Sequence, residues 1–219
     1  MKQPKRRARR TRGDIRERLL EAALQEFGAK GFDGASTRAI ANRVGAHQPQ
    51  INYHFDSKEA LWAAAVDHVF GDLTKAMQGI EGLRMVGKPL GVNELALAFA
   101  DMIRRFVRFA AEHPELNQIM VHEATAESGR LAWMTERHVR PLYDRLRPMW
   151  RRLRKAGIAA PIDDRLVHYV LVGAASTVYV NAPEARLLTG IEPTSRRWVE
   201  VHAEGLVSML LPKLPRATR

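Results

Sequence analysis

The sequence predicts an all-α protein, a small N-terminal helical unit followed by a larger helical one. Three observations predict it. Apolar residues recur at every third or fourth position through most of the 219 residues, the period of a helix with one buried face. No stretch alternates apolar and polar residues as a half-buried strand must. Gly31, Gly45, Pro114, Gly157 and Pro212 stand where the periodic runs end, as helix-terminating residues should.

Taken in order, Ile15, Leu19, Ala22, Ala23 and Phe27 share one face, and Asp14 and Glu17 suit the positive end of a helix dipole. They predict a helix over about 14–30, stopped by Gly31. Ser36 or Thr37 caps a short second helix whose Ile40, Ala41 and Val44 face inward before Gly45 ends it. A third begins near Gln48, with Pro49 in its first turn, where a missing N–H does no harm, and closes at Phe55-Asp56-Ser57. Asp56 or Ser57 caps the fourth. Glu59 can complete a capping box with Asp56, and Leu61, Ala64 or Ala65, Val66, Val69 and Leu73 form the buried stripe.

Gly79, Gly82, Gly87, Pro89 and Gly91 mark a loop over 77–94, around which a second domain begins. Leu95, Phe99, Met102, Phe106 and Phe109 predict a fifth helix that His113-Pro114 breaks. HPELNQIMVHEAT gives a short sixth. A longer element runs from about Ser128 to Gly157 with Pro141 and Pro148 as kinks or breaks; Asp163 or Asp164 opens the next helix, and the last spans about Ser195 to Leu211.

Composition excludes several classes. With 46% hydrophobic residues the chain can bury a core and is not disordered. It has no cysteine, which removes disulfides, thiolate chemistry and cysteine zinc sites. No apolar run approaches the roughly 18 residues of a membrane span, so the expectation is a cytoplasmic chain without a membrane partner. His122, Glu123, His138 and His168 are the raw material of a helical enzyme. No pair of them has zinc-protease spacing, and no catalytic residue, cofactor or metal is assigned.

Net charge +11 favours a polyanionic partner, nucleic acid first. Lys2, Lys5, Arg6, Arg7, Arg9, Arg10 and Arg12 make residues 1–13 a basic arm, expected to be flexible. Residues 14–60 carry six Lys or Arg against seven Asp or Glu, nearly neutral. A second cluster, Arg137, Arg140, Arg145, Arg147, Arg151, Arg152, Arg154 and Lys155, is opposed by Asp144 and reads first as a solvated helix face.

The stretch GAHQPQINYHF, 45–55, crowds hydrogen-bonding side chains onto barely two turns. Two short helices joined by Gly45-Ala46-His47 form a helix-turn-helix, whose second helix is narrow enough for the major groove of B-DNA. Gln48 and Gln50 carry the paired donor and acceptor that match adenine, and Pro49 offers an apolar face to a thymine methyl. Arg38 can reach a guanine or a phosphate. Tyr53 and His54 can donate to phosphate oxygens, and Lys58 opens the fourth helix, where free N–H groups already favour an anion.

At these residues the chain resembles the tetracycline-repressor (TetR) family of transcriptional regulators. The matching pattern is Phe27-x-x-x-Gly31-Phe32, Ser36-Thr37-Arg38-x-Ile40-Ala41, Gly45, then Tyr53-His54-Phe55-x-Ser57-Lys58-Glu59-Ala60-Leu61. It covers about residues 14–61. The resemblance implies Arg38, Gln48, Pro49 and Gln50 on the base side and Thr37, Tyr53, His54 and Lys58 on the phosphate side. His47 stands where the family often has a Ser cap, and Asn52 where it often has an aromatic. It also implies a homodimeric regulator, usually a repressor, released from a double-stranded operator by a small ligand held in the C-terminal domain.

The expected division is an arm over 1–13, a three-helix DNA-binding domain over 14–60, and an effector-binding and dimerisation domain over 61–219. One seven-residue helix makes too few base contacts for a specific site, and a two-fold dimer doubles them on a palindrome with half-sites roughly 34–36 Å apart. Candidate interface residues are Leu166, Val170, Gly173 and Thr177, with Ala174 and Ala175 beside them, and Val199, Leu206 and Leu210 on the last helix. Phe106, Phe109, Met120, Trp133, Tyr143, Trp150 and Tyr169, with Met134 and Tyr179, are the candidates for lining an effector cavity. The effector is expected to be mainly apolar, with any acidic group drawn by the Arg137–Lys155 cluster. The rival readings are a basic architectural DNA-binding protein without effector and, behind it, an all-helical enzyme.

Overall fold

The computed structural model describes residues 12–79 and 90–214, with the side chains of residues 12–14 and 48 left aside; the basic arm up to residue 11 lies outside them. Eleven α-helices follow one another in the described residues: α1 (Arg12–Gly34), α2 (Thr37–Arg43), α3 (Gln48–His54), α4 (Lys58–Ala76), α5 (Val92–Glu112), α6 (Pro114–Glu123), α7 (Gly129–Met134), α8 (Arg140–Lys155), α9 (Val167–Val180), α10 (Ala182–Thr189) and α11 (Arg196–Leu210). A π-helical segment, Thr135–Val139, joins α7 to α8. Among the described residues there is no strand, and no helix is long and apolar enough to cross a membrane.

Local chemistry explains the boundaries, including those the sequence misplaced. Gly31 does interrupt α1, at φ 68°, but one more turn continues to Gly34. Ser36 Oγ accepts from the Ala39 N–H and caps α2. At α4 the cap is Ser57, whose Oγ accepts from the Ala60 N–H at 3.0 Å, rather than an Asp56–Glu59 box. The element expected from Ser128 to Gly157 is split by the π turn; Pro141 falls in the first turn of α8, and Pro148 sits inside α8 without ending it. Asp163 caps the turn that leads into α9, its carboxylate accepting the Arg165 N–H at 2.9 Å and its carbonyl the Val167 N–H at 3.2 Å, while Asp164 pairs with Arg147 and Arg151; the regular helix opens at Val167. The eight-residue α10, closed by Gly190 at φ 70°, had no sequence expectation.

Two cores divide the apolar residues. The first gathers Leu19, Ala23 and Phe27 of α1, Ile40, Ile51 and Phe55 of α2 and α3, and Leu61, Trp62, Val66 and Val69 of α4, and it also takes in Phe109, Leu116, Ile119 and Met134. The second packs α5 against α8, α9 and α11 around Phe99, Ile103, Trp150, Leu153, Val167, Leu171, Leu206 and Leu210. The first core thus runs past residue 60 through α4 and into α6, so the N-terminal helices are joined to the larger unit by shared packing. Side chains such as Trp62 and Trp150 fill these cores, and truncating either to Ala should cost about 3–5 kcal/mol.

The last helix corrects one expectation. Val199, Leu206 and Leu210 are buried within the chain's own second core. On α11 the stripe 199, 203, 206, 207, 210 turns inward, and Val201 and Met209 are left exposed on the other side.

Candidate nucleic-acid interface and cavity

The α3 helix has seven residues and two anchors. Ile51 and Phe55, one turn apart, are buried in the first core, and a helix pinned by i and i+4 must turn its other face outward. That face carries Pro49, Gln50 and Asn52, all exposed, and Tyr53, which is 62% exposed. Gln48 takes the first helical position, and its side chain is outside the described ones. His47 precedes the helix, and the start is closed by Gln50, whose Oε1 accepts the His47 N–H at 2.9 Å. Gly45, at φ 66°, makes the turn from α2 in the left-handed region that favours glycine.

Around α3 the expected contact residues divide. Arg38 is exposed on the first turn of α2, while Thr37 and His54 are half-buried. Lys58 is turned toward the end of α1, its Nζ donating to the Asp33 carbonyl at 3.2 Å and lying 4.8 Å from the centre of the Phe32 ring.

Two side chains that sequence reasoning passed over hold this unit together. Glu26 is buried, and its carboxylate accepts from Lys30 at 2.7 Å, Arg43 at 3.3 Å and the Ser36 N–H at 3.4 Å. The Lys30 hydrogen bond, then the Ser36 N–H and the two cations, hold its pKa below the usual carboxylate range against the opposing effect of burial. Arg18 donates to the Val44 carbonyl at 3.0 Å and so satisfies the end of α2. The available signal was positional: position 26 falls on the apolar face with Ala23 and Phe27, where an acid needs partners.

A cavity of about 50 Å³ lies between α4, α5, α6, the start of α8 and α9. Phe106, Phe109 and Met120 line it, joined by Phe70, Leu73, Leu116, Val139, Leu142 and Val172 and by the polar His113, Asn117, His168 and Ser176. The other expected residues are elsewhere. Trp150 is fully buried in the second core, donating to the Ile162 carbonyl at 2.9 Å. Met134 and Tyr179 are also core residues. Trp133 packs on Trp62 at 5.6 Å, Tyr143 donates to the Arg165 carbonyl at 3.3 Å, and Tyr169 is 70% exposed. The missed polar residues were visible only as spacing, 113 with 117 and 168 with 176.

The basic cluster is largely neutralised. Arg137 pairs with Asp67, Arg140 with Glu136, and Arg147 and Arg151 with Asp164; Arg152 and Arg154 donate to the Leu90 and Ile162 carbonyls. None of its members lines the cavity. His122, Glu123, His138 and His168 are scattered: His122 bonds the Gly28 carbonyl, Glu123 pairs with Arg130, and His138 with Asp67. Among the described residues no group of three His, Asp or Glu is placed to hold a metal ion.

The α6 helix stands between this cavity and α1. His113, Leu116, Asn117 and Met120 face the cavity, while a Cβ on Gly28 of α1 would meet Gln118 Oε1 at 2.9 Å and the Glu115 backbone at 3.2 Å. The two helices are packed closely enough at Gly28 to leave no room for a side chain there.

Comparison with known proteins agrees with this architecture. Residues 19–65 match the family model of bacterial regulatory proteins, tetR family. The HTH-type transcriptional regulator RutR of Escherichia coli K12 is 26% identical over 174 residues, 78% of this chain and 77% of RutR. The class D tetracycline repressor protein of Escherichia coli is 39% identical over 46 residues, 21% of each chain. In fold, the chain is similar to AibR, solved in complex with isovaleryl coenzyme A and operator DNA, with a TM-score of 0.68 at 18% identity over 90% of this chain and 98% of that one. A TetR/AcrR-family regulator from Thermobifida fusca gives a TM-score of 0.56 at 20% identity, covering 93% and 100%. Over its first helices, residues 19–65, the chain carries the segment described by the family model of bacterial regulatory proteins, tetR family, and over most of its length it is similar to an HTH-type transcriptional regulator.

Proposed function

We propose that the chain is a repressor that binds a palindromic operator as a homodimer through α3 and is released by a small molecule bound in the cavity. The observation that carries the reading is the outward face of α3: polar residues exposed on a helix that Ile51 and Phe55 fix rigidly to the core. Arg38, Gln48, Pro49 and Gln50 meet base edges; Thr37, Tyr53, His54 and Lys58 meet phosphates. Lys58 must leave the Asp33 carbonyl to do so, an exchange that a phosphate anion favours. The working division is the arm over 1–13, the DNA-binding unit over 14–60, and the effector and dimer unit from 61 onward, with α4 common to both cores.

Support for ligand control comes from AibR, a fold neighbour solved with a ligand and operator DNA together. Support for repression comes from a relative, the HTH-type transcriptional repressor NicS of Pseudomonas putida, 23% identical over 49% of this chain. The dimer forms on the outer stripe of α9, with Leu166, Gly173 and Thr177 exposed and Val170 half-buried against the second core, beside the outward face of α11, Val201, Gly205 and Met209. Gly173 and Gly205 have nothing within 4 Å of a built Cβ, so a partner helix can approach closely. Ligand binding releases DNA only if the ligand prefers a dimer whose α3 helices are wrongly spaced. The α4 helix and the α6–α1 contact are the levers.

The test is a comparison of Gln48→Ala, Gln50→Ala and Lys58→Ala on a selected operator and on random DNA. Each Gln variant should lose about 1–3 kcal/mol on the operator and relax preference at one position per half-site. Lys58→Ala should weaken both DNAs alike. Equal losses on both DNAs for all three would refute the assignment.

A further inference from the structure

The cavity carries more information than its position. None of its lining residues is Asp, Glu, Lys or Arg. Its walls are Phe70, Phe106, Phe109 and Met120, and its polar groups are few. Ser176 is only 3% exposed, yet its side chain, like those of Asn117 and His168, makes no hydrogen bond among the described residues. Unpaired polar groups in an apolar enclosure are unfavourable, and each gains by finding a partner.

We infer that the cavity takes a compact, uncharged ligand, about one aromatic ring in size, whose hydroxyl, carbonyl or amide group pairs with Asn117, His168 or Ser176. This rests on the reading of the cavity as the effector site and narrows it. Charge is disfavoured on both signs. His113, whose pKa the Glu115 hydrogen bond raises, is bonded to that carboxylate at 3.0 Å and stacked on Phe109 at 4.5 Å, so a positive charge on it is already answered. Burial pushes His168 below the ordinary histidine pKa, which leaves a neutral imidazole able to donate or accept. A carboxylate entering here would lose its hydration and meet no unpaired cation.

Size follows from the volume and from α9. His168, Val172 and Ser176 succeed one another every fourth residue, so the two polar tips are about 12 Å apart along the helix with an apolar residue between them. The cavity measures about 50 Å³, against roughly 150 Å³ for one that admits benzene. A ring enters only as the walls part, and that opening displaces α6, the helix packed on α1.

The test uses the full chain with methyl-labelled methionine. The Met120 signal, assigned with Met120→Leu, is followed during titration with benzyl alcohol, benzamide, benzoate, benzylamine and toluene at pH 7.5. Benzyl alcohol and benzamide should shift it at concentrations about tenfold lower than benzoate or benzylamine. In Ser176→Ala or His168→Phe the advantage of benzyl alcohol over toluene should fall about three- to tenfold, with toluene little changed. The inference is overturned if benzoate or benzylamine binds as well as the alcohol, if neither variant alters the alcohol-to-toluene ratio, or if Met120 responds to none of the five. Operator binding followed in the same samples separates the two claims: a Met120 shift without DNA release supports the ligand class and refutes the effector role.

Discussion

Gln50 joins an observed bond to a proposed contact on one side chain. Its Oε1 closes the start of α3 on the His47 N–H, and the same amide faces outward where a base edge would lie. Gln50→Glu should therefore keep the helix start, since a carboxylate accepts the same bond near a positive helix end, while its charge repels DNA. Thermal unfolding should stay near that of the parent as operator affinity falls at least tenfold; a large loss of stability would show that the cap depends on the amide. Glu26 gives a prediction in pH. Its folded pKa is lowered, so its contribution to stability is complete above the ordinary value of 4.5 and is lost as pH falls through the lowered one. Glu26→Gln should cost about 1–3 kcal/mol at pH 7 in urea unfolding, with a deficit that narrows below pH 4; a deficit independent of pH would contradict it. Of these residues only the outward row of α3 was legible in the sequence, because seven residues cannot bury so many polar groups. Glu26 has one partner a turn away in Lys30, but its bonds to Ser36 and Arg43, and the unpaired state of the Ser176 hydroxyl, appear only once helices pack.

At the scale of elements, helix periodicity and capping chemistry placed α1 to α6 closely, and failures came where a competing interaction intervened. Asp163 caps the turn into α9 as its composition suggests, whereas Asp164 is held by Arg147 and Arg151, and the regular helix begins at Val167. Pro148 was a plausible break, yet α8 absorbs it. For α11, periodicity found the apolar stripe and assigned it to a partner chain; burial assigns it to α5 and α9 of the same chain. The α1–α6 contact could not be read at all, since a glycine at position 28 announces nothing until Glu115 and Gln118 lie against it. Gly28→Ala should force these helices apart at a cost of about 1–3 kcal/mol, measured by urea unfolding. Gly34→Ala, where a Cβ would meet the Lys30 Cβ at an ordinary 3.4 Å, should be within about 0.5 kcal/mol of the parent. Equal effects would mean that the α1–α6 fit is loose.

For the whole molecule, the proposed function turns on charge and symmetry. The folded N-terminal unit is nearly neutral and the excess sits in residues 1–13 and on α8, where acids answer much of it. On the proposed reading, long-range attraction to DNA falls to the basic sequence of residues 1–13. Deleting residues 1–12 should lower the log–log slope of affinity against salt by about 0.9 for each phosphate that the arm no longer neutralises and leave base preference intact; an unchanged slope would remove the arm from the interface. Gly173→Arg, on the open stripe of α9, should yield monomers by sedimentation that retain the helical fold and lose operator binding. If the variant stays dimeric, the interface lies elsewhere. Whether paired α3 helices read a symmetric site is decided by sequencing DNA fragments selected from a random pool by the purified chain. One enriched palindrome is expected, with half-site centres roughly 34–36 Å apart, one turn of B-DNA, or a multiple of that spacing; enrichment of no motif, or of a single unpaired half-site, would rule out paired reading.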